Sequence, residues 1–220
     1  MSDPKLWSKL FNEVYRDDVV PADALFVHGW GDLHEQLAPF VANFFKTSGA
    51  RYLFLNGEES YSPGFPGARW FVEELVRGGV PHNAIVPVLP GKHTLHEAEG
   101  FIGAAVERDV KSAVVISVPA HILRAYLTNL GVALKKGLSI KLSARTLTGT
   151  YWEEEVEIEG LMGTVHRERT TRLGRLVSEC ARIVEYRRRY EEDPSGFAIA
   201  SVEEGLAHLG HRAKSTDHEA

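Results

Sequence analysis

Residues 24–31, Ala24-Leu25-Phe26-Val27-His28-Gly29-Trp30-Gly31, read as a short apolar strand running into a glycine turn. Consecutive apolar residues without polar alternation fit a strand buried on both faces. From Leu33 to Lys46 the period changes, with Leu37, Phe40, Val41, Phe44 and Phe45 on one side of a helix. The same succession continues downstream. Tyr52-Leu53-Phe54-Leu55 closes at Asn56-Gly57, and a Gly/Pro/Ser-rich loop leads to a helix over Ala68–Arg77. Ala84–Leu89 is the third strand and Thr94–Asp109 the next helix, with Thr94 and Glu97 at the spacing of a capping box. Ala113–Val118, a helix over Ala120–Lys136, and Ser139–Ala144 complete the series. This alternation predicts an α/β fold, doubly wound around a mostly parallel sheet, a Rossmann-like three-layer sandwich. Strand order does not follow from it.

The flanks read differently. Residues 1–20 carry an N-terminal helix, in which Trp7, Leu10, Phe11 and Val14 share a face. Residues 21–146 are the α/β core and 147–210 a C-terminal extension. In the extension, Leu147–Gly163 is turn-rich and acidic, with Glu153-Glu154-Glu155. A long helix is expected over Arg167–Glu192, with a stripe of Leu173, Leu176, Val177, Cys180, Ile183 and Val184. Cys180 therefore reads as core. Arg187-Arg188-Arg189 suits a solvated helix C-terminus or, alternatively, an anion-binding edge. Residues 211–220 read as a disordered tail.

Composition narrows the function. The chain has 220 residues, 44% hydrophobic and 25% charged, ordinary for a globular protein. Its net charge of −5 argues against a broad nucleic-acid-binding face. One cysteine allows no intrachain disulfide and no cysteine-based zinc site. The apolar runs are far shorter than the ~20 residues of a membrane span. The first residues lack the apolar segment of a signal peptide. A cytoplasmic protein is the expectation.

In open α/β sheets ligands bind beyond the carboxyl ends of the strands. The first strand is followed by His28, Gly29, Trp30, Gly31 and Asp32, and the second by Asn56, Gly57, Glu58 and Glu59. The third is followed by Lys92, His93, Thr94, His96 and Glu97, and the fourth begins a run with Ser117, His121 and Arg124. Gly29 and Gly31 let a backbone approach a phosphate or ribose, or merely make a tight turn; the place of a third glycine holds His34. His121 and Arg124 lie one helical turn apart, a pairing that suits a phosphate or carboxylate or, alternatively, an exposed first turn. His93 and His96, with His121, also allow a metal reading, although their spacing matches no standard ligand set.

These motifs resemble those of the YdcF-like (ElyC/SanA/YdcF) family, domain of unknown function 218. The resemblance runs from Asp23 to about Leu142. It rests on Asp23-Ala24-Leu25-Phe26-Val27-His28-Gly29-Trp30-Gly31, on Leu55-Asn56-Gly57, and on Gly79-Val80-Pro81 before Ile85. It continues with His93-Thr94-Leu95-His96-Glu97-Ala98, where the family pattern is N-T-x-E-N-A, and with His121-Ile122-Leu123-Arg124-Ala125 for H-x-x-R-A. His93, His96 and Glu97 depart from the pattern, and Pro66-Gly67-Ala68 stands where the family has S-E-A. The resemblance implies a Rossmann-like fold. It also implies a small-molecule ligand of nucleotide type, S-adenosylmethionine being known for one member.

The expectation is a protein that binds a nucleotide-like or phosphorylated small molecule, as a transferase or hydrolase. His121, His96 and Glu97 are its candidate catalytic residues. His28, Gly29, Trp30, Gly31, Asp32, Asn56, Gly57, Glu58, Lys92, His93, Thr94, Ser117 and Arg124 are candidate ligand contacts. A non-catalytic sensor and a hydrolase with metal on His93, His96 and His121 are the alternatives.

Overall fold

The strands β1 (Ala24–Val27), β2 (Tyr52–Asn56), β3 (Ile85–Val88), β4 (Ser112–Ser117) and β5 (Lys141–Thr146) form one sheet. Their order is β3-β2-β1-β4-β5, and every neighbouring pair is parallel. This computed structural model describes residues 3–16, 21–29, 33–59, 66–91, 93–159 and 167–213. The helices are α1 (Pro4–Val14), α2 (His34–Ser48), α3 (Ala68–Arg77), α4 (Thr94–Glu107), α5 (Ile122–Lys135), α6 (Arg172–Glu192) and α7 (Val202–Ala213).

Strand pleating distributes the apolar runs between two cores. Leu25, Val27, Leu53, Leu55, Val114 and Ile116 pack with α2 and α3. Ala24, Phe26, Phe54, Ala113 and Val115 face the opposite layer, with α4, α5 and residues of α1, α6 and α7. Phe101 of α4 stacks on Phe26 at 4.3 Å between ring centroids and meets Phe54 edge-on at 5.4 Å. The doubly wound sandwich is thus present, with helices on both faces. β3 is an edge strand, which is where Pro87, with no N–H to give a ladder, is tolerated.

α5 is the most enclosed helix. From Ile122 to Ala133 every residue but Arg124 is buried. Gly131 lies against residues 199–200: a Cβ there would stand 2.5 Å from the Ile199 Cα. That close approach is closed by the Ala200 N–H donating to the Leu127 carbonyl at 2.9 Å.

The C-terminal extension differs from its expected form. Residues 167–171 are not helical; they form β7, antiparallel to β6 (Glu155–Glu159). The Thr171 side chain then caps α6, accepting from the Gly174 N–H at 3.1 Å. A β-branched, capping threonine at that point ends a strand and starts a helix. The apolar stripe of α6 is split. Leu176 and Ile183 are buried, whereas Leu173 and Val177 are 52% and 61% exposed. The Arg187–Arg189 triplet is tied into Glu185, Glu191, Glu192 and Glu204. Among the described residues no helix is long and apolar enough to cross a membrane. The expected tail, apart from the end of α7, lies outside the described residues.

Candidate functional site

β1 and β4 are neighbours, yet the chain leaves them for opposite faces of the sheet, α2 on one and α5 on the other. This is the topological switch point, where the carboxyl ends of parallel strands open a crevice. His28 follows β1 and His121 immediately precedes α5, so both belong to this edge. Their rings stand edge to face with centroids 5.8 Å apart.

Each imidazole is held by a carboxylate on one nitrogen and a donor on the other. His28 Nδ1 lies 3.1 Å from Glu97 Oε2, and its Nε2 lies 2.8 Å from Asn129 Nδ2. The Asn129 amide also donates to the Ala125 carbonyl at 2.8 Å, which identifies that atom as the nitrogen. His28 Nε2 is therefore the acceptor, and Nδ1 carries the proton towards Glu97. His121 repeats the arrangement, with Nδ1 3.1 Å from Glu179 Oε2 and Nε2 3.4 Å from Thr94 Oγ1. The Glu179 carboxylate is gripped by Arg124 through Nε and Nη2, and by Arg182 Nη1 at 3.0 Å. Arg124 Nη1 also donates to Thr94 Oγ1 at 2.7 Å.

Burial and the adjacent Arg124 guanidinium push His121 down to about 4, so the ring is neutral at pH 7. Burial alone would raise the Glu179 carboxyl. Arg124 and the His121 hydrogen bond overcome it and hold the group well below the usual carboxylate range. Burial, then Glu179 nearby, pushes the Cys180 thiol up to about 11, which leaves it unreactive.

The remaining expected residues separate into groups. Thr94 and Glu97 turn inward from the first turn of α4, while His93 and His96 are exposed. The N-cap of α4 is His93, whose Nδ1 accepts from the His96 N–H at 3.4 Å; the expected cap at Thr94 is thereby corrected. With the cap at His93, Glu97 falls one place past the capping-box position, and its side chain turns inward to His28 instead. The His93 and His96 rings lie against each other, tilted by 35° with centroids 3.6 Å apart, and do not join His121. Desolvation and the His96 ring lower the His93 pKa. Among the described residues no three His, Cys, Asp or Glu side chains converge as a metal-binding set.

Asn56 is buried and serves as a clamp. Its Nδ2 donates to the Gly91 carbonyl, while Oδ1 accepts from the Gly91 and Glu58 N–H groups. Gly57 lies under β3, where a Cβ would meet the Val88 carbonyl oxygen at 2.2 Å. Ser117 Oγ donates to the His28 carbonyl at 3.3 Å. Gly29 is buried directly after His28. Trp30, Gly31, Asp32 and Lys92 lie outside the described residues.

Sequence reasoning missed Glu179 and Asn129. A signal existed for each. Glu179 lies three residues after Leu176 and four before Ile183, on the buried face of α6. Asn129 lies within the otherwise apolar run of α5. The extension also roofs the crevice: Leu33, Val118, Ala120, Trp152, Arg172 and Arg175 are among the residues lining a cavity of about 10 Å³ there, room for about one water.

No protein-family model matches the chain, and no curated protein matches it significantly.

Proposed function

We propose that this protein binds a phosphorylated or nucleotide-like small molecule at the β1/β4 crevice and acts on it as a transferase or hydrolase, with His121 moving the proton. The observation that carries this reading is the convergence of a neutral imidazole, a guanidinium and a hydroxyl at the switch point: His121, Arg124 and Thr94. Such a set can orient an anion and exchange a proton with it. An anionic group brought beside His121 would raise its pKa towards neutrality, the range in which a general acid or base works best. Glu97 remains a candidate catalytic residue through His28; exposed His96 is better placed as a surface contact.

The motif resemblance supports membership of the YdcF-like family and a nucleotide-type ligand, with S-adenosylmethionine one probe of that class. The net charge of −5 and the lone cysteine support a cytoplasmic protein with no nucleic-acid partner. The burial of His121, 4% exposed, favours a non-catalytic sensor as the second reading.

Native mass spectrometry of the purified protein, followed by calorimetry against nucleoside diphosphates, sugar phosphates and S-adenosylmethionine, tests the proposal. One of these is expected to bind, and Arg124→Ala to weaken it by ~2 kcal/mol or more, about thirtyfold, because a buried charge loses its partner. No binding by any of the three classes would remove this reading. Turnover of the bound compound separates enzyme from sensor.

A further inference from the structure

We propose that Glu179, His121 and Thr94 form an acid–imidazole–hydroxyl triad in which Thr94 Oγ1 is the nucleophile that accepts a phosphoryl group from a phosphate ester. This rests on the phosphorylated-ligand reading above and adds a covalent step to it.

The hydrogen-bond directions argue for the triad. Arg124 Nη1 has only protons to give, so Thr94 Oγ1 accepts at 2.7 Å. The single hydroxyl proton is then directed at the remaining neighbour, His121 Nε2, at 3.4 Å. That nitrogen is an acceptor because Nδ1 holds the ring proton towards Glu179 Oε2 at 3.1 Å. Glu179 cannot swing away, since Arg124 and Arg182 hold both of its oxygens. A nucleophile within reach of a base, itself oriented by a third group, is the arrangement that activates a hydroxyl. A Thr94–His121 separation on the long side is common before substrate tightens the site.

Position adds to direction. Thr94 is the first residue of the 14-residue helix α4, whose N-terminus favours developing negative charge. The Arg124 guanidinium has five N–H groups and uses three on Glu179 and Thr94, so it can hold both and still meet a phosphoryl oxygen. Ser117, whose buried hydroxyl lies at the end of β4, donates to a carbonyl instead.

In the first step the Oγ1–P bond forms and the bond from phosphorus to the ester oxygen breaks. The Thr94 proton passes to His121 Nε2 and then to the leaving oxygen. In the second, water attacks phosphorus and gives a proton to Nε2. The P–Oγ1 bond breaks and Oγ1 regains a proton from His121, releasing inorganic phosphate. Glu179 changes no bond; it is a positioning residue.

A simple alkyl fluorophosphonate tests this without knowledge of the substrate. Oγ1 would attack phosphorus, fluoride would leave, and the proton would pass through His121 to solvent. Intact mass is expected to show one adduct per chain, and peptide mapping to place it on Thr94. Thr94→Ser should retain labelling and Thr94→Val abolish it. His121→Gln should slow it by ~100-fold or more. Glu179→Gln should slow it and shift the pH profile of labelling, which loss of a merely structural contact would not. No adduct on the wild-type chain, or an adduct mapped elsewhere, overturns the triad. Calorimetry with the same three ligand classes runs in parallel: binding without labelling sinks the triad alone, and loss of both sinks the ligand reading as well.

Discussion

His121 is the residue whose chemistry most depends on its neighbours. It is faced by Glu179 from α6, Arg124 from α5, Thr94 from α4 and His28 after β1. Its folded pKa of about 4 lies below the 6.5 of a free imidazole, so the unfolded chain takes up a proton that the folded chain refuses. The stabilisation is therefore complete above pH 6.5 and is lost as pH falls towards 4. The lowered Glu179 carboxyl acts in the same sense at still lower pH. The loss from His121 is expected to be on the order of 3 kcal/mol. Urea midpoints measured from pH 7.5 to 4 should fall accordingly, and the His121→Gln variant should be flatter across that window. Equal slopes in the two proteins would show that His121 is not buried as a neutral ring. Asp23, the first residue of the motif that opens the core, has a different part. It accepts from the Lys111 and Ser112 N–H groups at 2.9 and 3.0 Å and pins the start of β1 beside β4. A motif position can thus be a strand clamp far from the carboxyl edge.

At the scale of elements, the five core strands and their helices were legible because each apolar run and each helical period is local. Ala24–Val27 and Ala68–Arg77 have the bounds expected of them. Strand order was not legible, since β1 pairs with β4 across a separation of 89 residues and no local pattern encodes that. The strand at Arg167–Thr171 was hidden because its arginines and threonines pair with a glutamate-rich partner, leaving no apolar run to read. The candidate site divides in the same way. His28, Thr94, Glu97, Ser117 and Arg124 follow from the carboxyl-edge rule, but Glu179 arrives from a helix that is distant in sequence. Close packing of α5 is what admits that outer layer. Gly131→Ala would drive a methyl group into the Ile199 and Ala200 backbone, which cannot retreat as a flexible side chain can. Denaturant unfolding should show a loss of ~1–3 kcal/mol or more. A neutral effect would mean that residues 198–200 sit less tightly on α5 than their contacts imply.

For the molecule as a whole, the flanking segments and the α/β core share one apolar interior. Leu10 and Val14 of α1, Leu176 and Ile183 of α6, and Val202 and Leu209 of α7 belong to the same cluster as Phe26 and Val115 of the sheet. Polar contacts cross the same boundary. Tyr126 of α5 donates its hydroxyl to the Gly205 carbonyl at 3.0 Å, and the Leu142 N–H donates to His208 Nε2 at 2.8 Å. Tyr15 donates to the Pro119 carbonyl, two residues before His121. If the C-terminal layer could detach while the core stayed folded, His121, Arg124 and much of α5 would face water, and the burial that shapes the site would be lost. The layer and the core are therefore expected to unfold in one step, as small domains with a continuous core do. Far-UV circular dichroism should follow mainly the helices, while tryptophan fluorescence includes Trp152, packed beside Tyr15 with ring centroids 6.2 Å apart. The two probes should give superimposable urea transitions. An earlier fluorescence transition, with helicity intact, would mean that the extension docks as a separate unit. Glu179 would then reach His121 only in a subset of molecules, and the pairing of the two would be set by that docking equilibrium rather than by the fold itself.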